Sequence, residues 1–133
     1  MSKQKKIALS SLMVALLLVG TLGMTMLAMA VETRATSTVQ LSTSTTSAVG
    51  SYKTKTGTGK ITMFGQNNST SSGKMVFVIQ SPNDAAEESK VIAAGKTYDG
   101  LSARSYGPGQ YRPYLERDDI YKPVSGSGYI YFS

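Results

Sequence analysis

Between Tyr98 and Lys122 the chain interleaves rings with cations. Tyr98, Arg104, Tyr106, Tyr111, Arg112, Tyr114, Arg117, Tyr121 and Lys122 fall within 25 residues, among Gly and Pro. A tyrosine ring packs on sugars, bases or apolar surfaces while its hydroxyl stays wet. A neighbouring Arg or Lys suits phosphate or carboxylate. The segment running from Arg104 and Tyr106 through Tyr111, Arg112, Tyr114, Arg117 and Tyr121 to Lys122 is therefore the candidate binding surface. Its expected partner is a cell-envelope polymer or another anionic surface, such as a wall glycopolymer or a phospholipid headgroup. A competing reading gives the same rings a structural task, completing a core that is short of Leu and Phe.

Other chemistry is poorly represented. The chain has no Cys and no His, which removes disulfides, Cys/His zinc sites and nucleophiles that depend on either residue. The acids are scattered: Asp84, Glu87 and Glu88, then Asp99, Glu116, Asp118 and Asp119. Glu116, Asp118 and Asp119 suggest part of a calcium shell, but Arg117 intervenes and EF-hand spacing is absent, so a solvated turn is the better reading. No pair of carboxylates is marked for glycoside hydrolysis. Gly57-Thr58-Gly59-Lys60 lacks the Gly and the Ser or Thr that a phosphate loop needs at its two ends, where Thr54 and Ile61 stand, and reads as a hairpin turn. Asn67-Asn68-Ser69-Thr70 holds two overlapping glycan sequons. No enzymatic activity, cofactor or metal is expected.

The N-terminus has the pattern of a secretory leader. Three Lys precede an uncharged stretch from Ile7 to Met29, and Ala28 and Ala30 supply the small residues that a signal peptidase reads, with the cut after Ala30. Uncleaved, the same stretch would rise about 34 Å as a helix, enough for a membrane anchor. Either way the remainder is expected outside the cytoplasm, secreted or at the cell surface.

Removing the leader changes the composition. From Val31 onward eleven basic residues face eight acidic ones, a net charge of +3 in place of +6. That small excess, in an exported chain, argues against nucleic acid as a partner. Ile, Leu, Val and Phe make up only 18 of these 103 residues, while all eight Tyr remain. The core must be thin and Tyr-assisted, with modest stability.

The elements that would position the candidate surface are short strands between Gly, Ser, Pro and Asn turns. Residues 31–37 are expected as a flexible Ser/Thr-rich lead-in and 38–133 as one domain. Strands are expected near Ala48–Thr54, Lys60–Gly65, Lys74–Gln80, Val91–Ala93, Thr97–Tyr98, Tyr111–Glu116 and Tyr129–Phe132, with an edge strand after Thr38. Lys74–Gln80 is apolar at both parities and should be central, with Met75, Phe77 and Ile79 facing inward. Ile61, Met63 and Gly65 share one face, as do Tyr111 and Leu115, which leaves Arg112 and Tyr114 outward. Pro113 belongs at a sheet edge or bulge. Ser81-Pro82-Asn83-Asp84 resembles a helix start, so a short helical turn is expected near residues 82–88. Seven or eight such strands predict an all-β antiparallel sandwich, or a Greek-key or jelly-roll-like barrel.

The resulting expectation is a secreted, non-catalytic protein that binds or forms part of an extracellular surface or polymer. The second reading is an antimicrobial, bacteriocin-like protein acting on a competitor's envelope. A small secreted hydrolase is third.

Overall fold

In the computed structural model, residues 35–133 are described; the expected leader, with Ala28 and Ala30, lies outside them. Nine strands follow in order: β1 (Ala35–Leu41), β2 (Ser47–Val49), β3 (Lys53–Lys55), β4 (Thr62–Asn67), β5 (Met75–Ser81), β6 (Ala85–Ile92), β7 (Thr97–Leu101), β8 (Gly109–Arg117) and β9 (Gly126–Phe132). They form two sheets in which every pairing is antiparallel. One sheet runs β1-β9-β4-β7; the other runs β2-β8-β5-β6, with β3 also paired to β8. The all-β sandwich expected from the strand pattern is the architecture found.

Alternation along the strands builds the core. Met75, Phe77 and Ile79 of β5 are fully buried against Met63 of β4, Leu115 of β8 and Ile130 of β9. Ile61, Val124, Val39, Leu41, Ile92 and Phe132 complete the layer, together with the rings of Tyr106 and Tyr111. All of these lie within the compact unit Arg34–Ser133, which carries a hydrophobic core of its own. The sheets approach closely at Gly65, where a Cβ would stand 2.6 Å from Cδ2 of Phe77.

Pro113 lies in β8 where the neighbouring edge is interrupted between β2 and β3. Its carbonyl accepts the Gly50 N–H at 2.9 Å. In an antiparallel strand the N and O of one residue face the same side, so the donor that proline lacks is missing on that interrupted side. Gly50 is required there, because a Cβ would meet the Thr38 carbonyl oxygen at 2.5 Å and Pro113 Cγ at 2.8 Å. This break explains why the expected Ala48–Thr54 strand is two strands.

Two expectations are corrected. Residues 82–88 hold no helical turn: Pro82, Asn83 and Asp84 form a tight connection, and β6 starts at Ala85. Asn83 and Asp84 take left-handed φ of 67° and 59°, a conformation that Asn and Asp tolerate through their short polar side chains. Pairing of β6 along the whole of β5 outweighs the local capping signal. Residues 35–37, expected within the lead-in, are strand instead: β1 begins at Ala35, opposite Phe132. Ser37 is buried there, its hydroxyl donating to the Ser51 carbonyl at 2.5 Å.

Candidate functional site

The outward positions of the β1-β9-β4-β7 sheet form a lattice fixed by strand register. One row reads Thr38, Tyr129, Phe64, Asp99. The row beside it reads Thr36, Tyr131, Thr62, Leu101, and the row on the other side Gln40, Ser127, Gln66, Thr97. These residues point outward because their neighbours Val39, Met63, Ile130 and Phe132 fill the core. At the centre Phe64 and Tyr129 are stacked, centroids 5.2 Å apart and planes 13° from parallel. Offset stacking of this kind is favourable beyond the area it buries, so the pair holds a fixed aromatic platform, half-buried at its base.

A shallow trough of about 440 Å³ runs beside the platform, lined by Thr38, Gln40, Val49, Phe64, Ser127 and Tyr129 among others. Its size falls in the range of about 300–1,000 Å³ usual for small-molecule sites. Hydroxyls and side-chain amides surround the rings, and Asp99 is the one charged residue in the lattice. Burial, and then the charge of Asp99, push the Tyr129 hydroxyl above its ordinary pKa, so it remains a protonated donor across the neutral range. The arrangement can stack a flat, partly apolar ring and hydrogen-bond its rim.

The Arg104–Lys122 segment is distributed over three places. Tyr106 and Tyr111 are core rings, packed edge to face at 5.7 Å, with Tyr111 meeting Phe132 in the same manner at 6.1 Å. The Tyr106 hydroxyl donates to Glu88 at 2.8 Å and that of Tyr111 to the Gly107 carbonyl at 2.8 Å. Arg104 lies over the Tyr106 ring and pairs with Glu87 at 2.9 Å. Glu87 is the extra residue of a bulge in β6, between the Ile79–Glu88 and Gln80–Ala86 pairs. The bulge lets two consecutive acids both reach the 102–107 segment, since the Ala103 N–H also donates to Glu88, at 2.6 Å. Burial pushes the Glu88 carboxyl up, yet the Ala103 N–H, the Tyr106 hydroxyl and Lys90 together hold it below its ordinary value. Burial and the Glu88 hydrogen bond push Tyr106 up to about 12. This cluster closes the open side of the sandwich between β6 and β7.

Arg112 and Tyr114 do face outward from β8, on the other sheet. Arg112 donates to Gln80 at 2.8 Å and Asp84 at 2.7 Å, and stacks on Tyr52. Tyr114 donates to Glu116 at 2.8 Å. Arg117 is turned onto the carbonyls of Ile120, at 2.7 Å, and Thr43, at 2.6 Å. Tyr121 and Lys122 are exposed at the end of the sandwich. Most of the cations are thus occupied within the fold, and the segment forms no continuous surface.

Phe64, Tyr129 and Tyr131 are not among the candidate residues: alternation with Ile61, Met63 and Gly65 puts Phe64 on the opposite face of its strand, and the two tyrosines have only places in the last strand. A signal was present: Ser127, Tyr129 and Tyr131 share a parity opposite to Ile130 and Phe132, which marks two rings as outward on the last strand. That Phe64 lies across from Tyr129 is a matter of pairing between β4 and β9 and has no local signature. Among the described residues no group of three or more acids is placed to hold a metal ion. Comparison with family models, with curated proteins and with solved structures finds no match for this chain.

Proposed function

We propose that this protein is a non-catalytic binding module for an extracellular polysaccharide, which lies along the outer face of the β1-β9-β4-β7 sheet. The observation that carries the reading is the stacked Phe64–Tyr129 platform ringed by Thr38, Gln40, Thr62, Gln66 and Ser127. A pyranose presents C–H groups on its flat faces and hydroxyls on its rim, so it needs a ring beneath it and short polar side chains around it. The lattice offers both, with almost no charge, which favours an uncharged glycan over the anionic polymer first expected. Three of the four cations that suggested an anion, Arg104, Arg112 and Arg117, are engaged by Glu87, Asp84 and backbone carbonyls.

The test is retention of residues 34–133 on neutral polysaccharides and on isolated cell walls, across a salt series. Tyr129→Ala should weaken retention about tenfold, as loss of a central aromatic anchor does. Arg112→Ala should leave it unchanged, and salt should have little effect. Absence of retention on every neutral polysaccharide and wall sample, or a folded Tyr129→Ala protein held as firmly as the parent, would contradict the proposal.

A further inference from the structure

The first and last strands of the described residues meet at one end of the sandwich, where Ala35 pairs with Phe132. The loops at residues 42–46, 68–74, 93–96 and 118–125 gather at the other end. On the last of these loops Ile120 is 58% exposed and Tyr121 86% exposed. The backbone beneath them is fixed. Arg117 donates to the Ile120 carbonyl and to Thr43, the Tyr121 N–H donates to the Asp119 carboxylate, and the Lys122 N–H to the Asp119 carbonyl. The Asp118 N–H donates to the Lys74 carbonyl, and the Ser72 N–H to that of Pro123. Single exposed apolar residues are ordinary on any surface. Two adjacent large ones, held outward by a pinned loop at the tip of a domain, are not needed for the fold.

The charges around the tip give its partner a sign. Lys74, Lys96 and Lys122 are exposed at this end, and none joins the ion pairs found among the described residues. With Arg117, and against Asp118 and Asp119, the end carries a net +2. Asp119 is turned back toward the Tyr121 N–H.

We propose that this tip docks on an anionic lipid bilayer, with Ile120 and Tyr121 entering the headgroup boundary and Lys74, Lys96 and Lys122 lying over the phosphates. Tyrosine suits that boundary because its ring is apolar and its hydroxyl is polar. Each lysine near an anionic surface strengthens binding about fivefold. A shaped protein pocket is the weaker match, because lysine is depleted at protein interfaces, whereas flexible unpaired lysines fit a diffuse negative plane. The inference does not rest on the polysaccharide face, with which it shares no residue.

The test is sedimentation of residues 34–133 with vesicles of phosphatidylglycerol or of phosphatidylcholine. The parent should bind the anionic vesicles about 25-fold more tightly, as the net charge of +2 at this end predicts at about fivefold per charge. Replacing Ile120 and Tyr121 together by Ser should weaken binding about tenfold or more, as loss of partly buried apolar side chains does. Lys96→Gln and Lys122→Gln should each weaken it about fivefold, and Tyr129→Ala should bind like the parent. The chain contains no Trp, so Tyr121→Trp places a single reporter at the tip, and its emission should move to the blue with anionic vesicles alone. Equal binding to both vesicle types, binding to neither, a double Ser variant that binds like the parent, or Trp emission that stays unmoved would each overturn the proposal.

Discussion

Replacing Gly65 by Ala should destabilise the domain through contact with one ring on the opposite sheet. The added methyl would stand 2.6 Å from Cδ2 and 3.3 Å from Cε2 of Phe77, and 2.8 Å from Cδ1 of Ile92. Carbon atoms prefer about 3.5–4.0 Å, so a shift of roughly 1 Å is demanded of two buried side chains. Overpacking of this kind costs about 1–3 kcal/mol, and the gain from replacing Gly in a strand offsets about 0.5–1 kcal/mol. A net loss of about 1–2 kcal/mol should lower the melting temperature by about 4–16 °C for a domain of this size. Phe77→Leu, which withdraws the ring edge, should be destabilising alone but should relieve the Gly65→Ala variant. The double variant should then be more stable than additivity predicts by about 1 kcal/mol, within the range for contacting residues. The assay is thermal and urea unfolding of parent, singles and double. Additive effects, or a Gly65→Ala protein as stable as the parent, would refute the close approach of the two sheets at this point.

Truncating Phe77 to Ala should cost about 3–5 kcal/mol, since the ring is fully buried; circular dichroism should show the domain largely unfolded, and a melting temperature within a couple of degrees of the parent would contradict its central place. Tyr106 is raised from 10.0 to about 12, so its contribution is complete below about pH 10 and is lost as pH rises through about 12. Tyr106→Phe should abolish that part of the alkaline unfolding limb, and an unchanged limb would show that Tyr106 is not its source. Glu88 is held below its ordinary 4.5, so its contribution is complete above that value and is lost as pH falls through its lower folded pKa; Glu88→Gln should flatten this acid limb, with the midpoint of urea unfolding against pH as the readout.

The fold was legible where burial alone decides. The apolar run of β5 announces a central strand, and Met75, Phe77 and Ile79 are indeed its inner face, as Ile61 and Met63 are before β4 and within it. The leftover parity in Tyr111–Glu116 likewise placed Arg112 and Tyr114 outward. What failed was local chemistry set against distant pairing. Ser81-Pro82-Asn83-Asp84 satisfies a helix cap on its own terms, but β6 gains a full ladder against β5 that no four-residue window displays. The basic and aromatic stretch is divided among several places for a related reason. Adjacent residues in a strand point to opposite faces, and the acids that engage Arg104 and Arg112 come from residues 84–88. Nearness in sequence therefore overstated nearness in space, while Phe64 and Tyr129, sixty-five positions apart, stack directly.

Amide NMR of residues 34–133 during titration with a soluble neutral glycan that the walls retain tests the polysaccharide face most directly. The signals of Thr38, Phe64, Ser127 and Tyr129 should move together and saturate, with those of Arg112, Tyr114 and Tyr121 still. Saturable shifts confined to the Arg112 and Tyr114 face, or to the 118–125 loop, with the Phe64–Tyr129 rows unmoved, would contradict it.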